Sequence, residues 1–159
     1  MNIYYHPLYT KGIDSKSTFP KERYDLIKEQ LVVSELSNII TIKTPTEVEI
    51  EDIYRAHAKE YVDAFLNSDL SEKQVREIGL KPWTNKIIQR TLLLTGGSLC
   101  ALDDIYNGAE VAANMAGGTH HAFRERGSGF CIFNDLAICA IEAIEKYNYN
   151  RVLIIDLDV

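Results

Sequence analysis

Residues 116–135, AGGTHHAFRERGSGFCIFND, leave a short β-type run, Glu110–Met115, and lead into a helical run, Leu136–Tyr147. The stretch holds the Gly117-Gly118 turn, the adjacent His120 and His121, and a Gly127-Ser128-Gly129 loop before Phe130-Cys131. A strand that breaks at glycines into a polar loop and continues as a helix belongs to an α/β fold, where sites form in loops at the carboxyl ends of parallel strands. Asn134 or Asp135 is placed to cap the following helix, which is apolar on most faces and therefore largely buried.

The rest of the chain fits the same alternation. Asn2–Tyr5 is a first strand ending at His6-Pro7, and Ile39–Ile42 is a second. Pro20 opens a helix with Tyr24, Ile27, Leu31 and Leu36 at helical spacing. Thr46 and Glu49 form a capping box for the next helix, and another runs over 59–66. His57, at the junction of those two, reads as a packed or capping residue. The charged segment 71–82 reads as exposed surface. Thr84 caps a long helix over 85–106, and Gly96-Gly97 inside it marks a close backbone approach, since each interior glycine costs about 1 kcal/mol against alanine. The near-continuous apolar run Arg151–Val159, RVLIIDLDV, has the composition of a buried parallel strand.

Composition narrows the function classes. The 159 residues suit one domain, and 46% apolar content suits a packed core. A formal charge of -6 offers no basic footprint for nucleic acid. Cys100, Cys131 and Cys139 form no C-x-x-C pair, and no leader-type or membrane-spanning apolar run is visible, so a soluble cytoplasmic protein with reduced thiols is expected.

Two clusters carry chemistry. On a strand, Asp156 and Asp158 project to one side, and two close carboxylates need a cation or a solvated turn. His120 and His121 are either polar loop residues or a proton-handling pair facing a pocket, which the flanking glycines favour. Cys131 sits in an apolar context where cysteine is packing rather than a nucleophile.

These two motifs, GGTHHAFRERGSGFCIFND and IIDLDV, separated by one helix, resemble the histone deacetylase superfamily, zinc-dependent amidohydrolases on the arginase-like α/β fold, and the GGTHH wording is closest to bacterial and class IV-like members. YYHP, FPKERYDLIKEQL and HAKEYV add to the likeness. The resemblance implies a parallel sheet flanked by helices, with residues 1–159 as the N-terminal portion of one deacetylase-like domain, its first half, ending at the metal-binding strand. It implies His121 as general base and acid, His120 holding and polarising the water, and Asp158 as a Zn2+ ligand. Asp156 would bond His120 and contribute to a K+ site. Gly129 and Phe130 would line an acyl tunnel with Cys131 in its wall, and Arg23 would belong to an internal acetate pocket. The substrate class implied is acetyl-lysine, an acetylpolyamine or a small acetylated metabolite.

In the family the metal strand runs on from Asp-Val into a histidine ligand, with an aspartate ligand and an oxyanion tyrosine further downstream. The expectation is accordingly a chain inactive without the other half of its domain, and unpaired edges on its third and fourth strands. A non-catalytic remnant or interaction module of the same fold is the alternative. Another arginase-like metallohydrolase is disfavoured by the Gly-Phe-Cys step.

Overall fold

A computed structural model describes residues 1–158. Its strands are β1 (Asn2–Tyr4), β2 (Thr41–Lys43) and β3 (Ala112–Asn114), and its helices are α1 (Leu8–Lys11), α2 (Arg23–Val33), α3 (Ile50–Ala56), α4 (Lys59–Leu66), α5 (Glu72–Ile78), α6 (Ile87–Tyr106) and α7 (Asp135–Glu145). The strands are parallel in the order β2-β1-β3, with Ile3 opposite Ile42 on one side and Ala113 on the other. α6 packs against β1 and β3, and α7 packs against α6 and α3. This is the expected α/β arrangement of a parallel sheet flanked by helices. Among the described residues no helix is long and apolar enough to cross a membrane.

The core lies between the sheet and the helices, and its largest fully buried side chains include Tyr9, Tyr24, Phe65 and Phe133. Phe65 and Phe133 meet edge to face at 5.1 Å between ring centroids, a favoured aromatic geometry. Gly96 and Gly97 are the close approach that their helical position suggests. A Cβ at Gly96 would stand 2.0 Å from the Thr46 carbonyl oxygen, and one at Gly97 2.6 Å from the Tyr9 hydroxyl.

Several local expectations are corrected. The helix opened by Pro20 starts at Arg23 and ends at Val33, because Ser34 turns extended and its hydroxyl takes the Leu36 N–H to cap a 3-10 turn over Glu35–Asn38. Of the four apolar positions only Tyr24 is buried; Ile27 and Leu36 are exposed. β2 begins at Thr41 because the N–H groups of Ile39 and Ile40 both go to the Leu36 carbonyl. Thr46 and Glu49 form no capping box, since Glu49 is itself the N-cap and the Thr46 hydroxyl lies against Cys100 Sγ. Thr84 does not cap α6; its hydroxyl donates to the Gly12 carbonyl. The charged segment 71–82 is not plain surface, for it forms α5 with a complete Ser71–Gln74 capping box and buries Ile78 and Leu80. On α7, Ile138 and Ala143 are buried but Ile144 is exposed.

The largest correction concerns the C-terminal apolar run. Residues 151–158 form no strand, and Leu153, Ile155 and Leu157 are exposed; Val159 lies outside the described residues. A strand exists only where a neighbouring backbone completes its ladder, and the described sheet stops at β3.

Gly96→Ala places a methyl group inside contact distance of backbone that cannot retreat. Overpacking outweighs the roughly 1 kcal/mol gained in helix propensity, so urea denaturation should show a net loss of about 2 kcal/mol.

Candidate active site at the end of the third strand

The loop that leaves β3 is tied down by one buried carboxylate. Asp135, 1% exposed at the first position of α7, accepts hydrogen bonds from Gly118 N–H (3.1 Å), Thr119 N–H (2.7 Å), the Thr119 hydroxyl (2.6 Å) and the Ser98 hydroxyl (2.5 Å). Buried carboxylates are tolerated only when their lone pairs are filled, and the N-terminus of α7 adds favourable dipole. The cap of α7 itself is Asn134, whose side chain accepts from Ala137 N–H at 3.0 Å. Of the two residues read as possible caps, Asn134 does the capping and Asp135 turns back to hold the two residues before His120.

The other wall comes from the Gly-Phe-Cys step. Gly129 N–H donates to the Glu77 carbonyl and Phe130 N–H to the Ile78 carbonyl at 2.7 Å, which docks this wall on the last turn of α5. A Cβ at Gly129 would lie 2.9 Å from the His121 ring, so the glycine lets backbone and imidazole touch. Phe130 has φ of 68°, a left-handed conformation costly for a residue with a Cβ. Its ring meets Phe19 edge to face at 5.2 Å. Cys131 is buried, and that burial pushes its thiol pKa up, which keeps it an unreactive wall residue.

The histidine rings contact each other at 4.1 Å between centroids. His120 Nδ1 lies 3.2 Å from Asp156 Oδ2 and Nε2 lies 3.5 Å from Asp158 Oδ2. Both acids thus face one imidazole, and they do so through a local turn in which Asp156 Oδ1 accepts from Asp158 N–H, not through the alternation of a strand. Each ring nitrogen of His120 therefore has a carboxylate oxygen of a different aspartate beside it. His120, His121 and Asp158 each bring one ligand-type atom within 4.8 Å of the others. Two nitrogens and a carboxylate oxygen are donors zinc accepts.

Comparison with known proteins gives this geometry a context. Residues 17–159 match the family described as Histone deacetylase domain. The chain belongs to the histone deacetylase family. It is 37% identical over 158 residues to an uncharacterized protein of Picosynechococcus sp., covering 99% of this chain and 52% of that one. It is 35% identical to the acetoin utilization protein AcuC of Bacillus subtilis and 33% identical to histone deacetylase clr6 of Schizosaccharomyces pombe, covering 85% and 86% of this chain and 36% of each relative. The chain therefore spans between about a third and a half of the length of these relatives.

In this deacetylase-family chain the histidine pair opens on a cavity of about 310 Å³, lined also by Gly129, Phe130, Cys131, Asp158 and Arg23. Every residue singled out from the sequence except Asp156 is part of that lining. Arg90, Thr95 and Tyr24 also line the cavity, and none of them carries a site role in the sequence. Arg90 is buried on α6 with its Nε–H donating to the Tyr9 carbonyl at 3.1 Å, and burial lowers its pKa from the ordinary guanidinium value. Thr95, one turn on, has a fully buried hydroxyl with no hydrogen-bond partner among the described residues. Tyr24 receives Arg23 Nη2–H at 3.1 Å. No acidic side chain among the described residues pairs with Arg23 or Arg90, so the cavity wall beside Tyr24 is electropositive. A single arginine within the apolar run IIQRTLLL was the available signal for Arg90.

Asp135→Asn keeps the volume of the side chain but turns an amide N–H₂ toward donors. Urea denaturation should show a loss of about 2–3 kcal/mol, with faster hydrogen exchange at the Thr119 amide.

Proposed function

We propose that this chain carries the proton-handling part of a zinc-dependent deacetylase site that hydrolyses an N-acetyl amide. The observation that carries the reading is the placement of His120, His121 and Asp158 within 4.8 Å of one another beside the cavity. Of these three, Asp158 would be the zinc ligand, a carboxylate oxygen that zinc accepts, while the two imidazoles stay off the metal with their nitrogens free for proton transfer and hydrogen bonding. The chemistry zinc supplies when bound is Lewis acidity, which polarises an amide carbonyl and acidifies a water.

The protein groups divide the remaining work. His121 takes the proton of the attacking water at an imidazole nitrogen and returns it to the departing amine, so that the C–N bond breaks as the new C–O bond is kept. His120 holds that water by hydrogen bonding. Asp156, against His120 Nδ1, fixes the tautomer that leaves Nε2 available, and its carboxylate would contribute to a site for a monovalent cation such as K+. Gly129 and Phe130 shape the channel for the acyl chain, and Cys131 forms an apolar wall near the acetyl group.

Arg23, together with Arg90 and the unpartnered Thr95 hydroxyl, would receive the acetate released. Two uncompensated guanidiniums beside a neutral hydroxyl suit a small carboxylate. An acetylated lysine, an acetylpolyamine or a small acetylated metabolite all supply the amide this arrangement needs.

In a whole deacetylase domain that carries this segment, acetate release from an acetyl-lysine peptide, measured with zinc supplied, should fall by about 10²- to 10⁴-fold in His121→Ala. Release unchanged by that substitution would contradict the assignment.

A further inference from the structure

His57 lies outside the cavity lining, yet its ring touches both limbs of the loop that carries the site. It is 2% exposed at the junction of α3 and α4, packed on Phe133 at 5.2 Å and Tyr61 at 6.1 Å between centroids. Its Nε2 accepts the Asn134 N–H at 2.9 Å, and its Nδ1 lies 3.3 Å from the Arg124 carbonyl oxygen. The neighbouring backbone repeats the pattern. Ala58 N–H donates to the same Arg124 carbonyl, and the Tyr61 hydroxyl donates to the Ile132 carbonyl.

These contacts fall at defined places in the sequence. Arg124 is three residues after His121, Ile132 follows Cys131 directly, and Asn134 is three residues after Cys131. Asn134 also closes the loop on itself, its side-chain N–H₂ reaching the Ala122 carbonyl at 3.2 Å. The imidazole thus bridges the backbone that follows His121 and the backbone that follows Cys131.

We propose that His57 is a positioning residue for the reactive histidines, acting as a neutral bracket between the Arg124 and Asn134 backbone. The bracket works in one protonation state. A backbone N–H can only donate, so Nε2 must present its lone pair to Asn134 and the proton must sit on Nδ1, donating to Arg124. An imidazolium would set N–H against N–H at Asn134. Burial keeps the His57 pKa below its ordinary value; the Arg124 charge pushes the same way, while the Arg124 and Phe123 carbonyls and the Glu125 charge oppose it. From α4 the facing titratable group is the Tyr61 phenol, whose pKa burial raises, so it stays neutral. A histidine whose folded pKa is depressed contributes stability that is complete above the unfolded value, about 6.5, and is lost as pH falls through the folded value.

Calling the neighbouring pair reactive rests on the function proposed above, but the test needs neither metal nor substrate and so stands or falls separately. Ring ¹⁵N and amide spectra of the labelled 159-residue chain should show His57 as the Nδ1–H tautomer. On acidification, Asn134 amide protection should drop at least tenfold, and the His120 and His121 ring signals should carry an inflection at the His57 midpoint. His57→Phe keeps the packing and removes both bonds. It should show the same loss of protection and displaced His120 and His121 signals at neutral pH. His57→Gln, whose amide oxygen can accept from Asn134, should recover part of both. Wild-type His120 and His121 signals indifferent to His57 titration overturn the proposal, as does a His57→Gln variant indistinguishable from His57→Phe.

Discussion

A buried carboxylate held by backbone N–H groups and hydroxyls is the constraint on which the site depends. Asp135 is buried at the start of α7, and the chain satisfies it by bending the backbone of Gly118 and Thr119 around it and bringing the Ser98 hydroxyl from α6. Three elements meet there: the exit of β3, the middle of α6 and the first turn of α7. None can shift without leaving a buried charge or donor unpaired, a loss larger than a typical surface contact could offset. His120 follows Thr119 directly, so its placement is a by-product of keeping Asp135 solvated by protein.

The opposite wall is held by different means. Gly129 and Phe130 hang from the carbonyls at the end of α5, and Phe130 accepts a left-handed backbone to do so. Non-glycine residues hold such a conformation only where the surroundings over-determine it, and here two backbone hydrogen bonds and the Phe19 contact do so. The cavity is consequently framed by rigid backbone on two sides, with the arginines of α2 and α6 and the Asp158 carboxylate after α7 completing it. Its charge is divided: acidic beside the histidines, basic beside Tyr24.

Much of this was readable from residue order. The first and third strands, the helix over 59–66, the tight approach at Gly96-Gly97 and the packed character of His57 all follow from local rules that the tertiary structure respects. The family was legible too, because GGTHH and the Gly-Phe-Cys step encode contacts made within one loop. What escaped depended on distant partners. α5 is hidden in a charged segment because only Ile78 and Leu80 mark its buried side. Asp135 looks like a helix cap, since nothing in its neighbourhood announces Ser98 or Gly118. The exposed Ile27 and Leu36 follow a helical spacing that the 3-10 turn at Ser34 interrupts. The run 151–158 has strand composition but lacks a ladder neighbour among the described residues, and composition cannot supply one.

The central claim is that the carboxylate of Asp158 and the histidine pair form one zinc-dependent centre. Anomalous diffraction at the zinc edge from crystals grown with zinc tests it most directly. The account predicts a single peak at bonding distance from an Asp158 oxygen, facing His120 and His121. A peak elsewhere, or none at Asp158 while other sites fill, would contradict it.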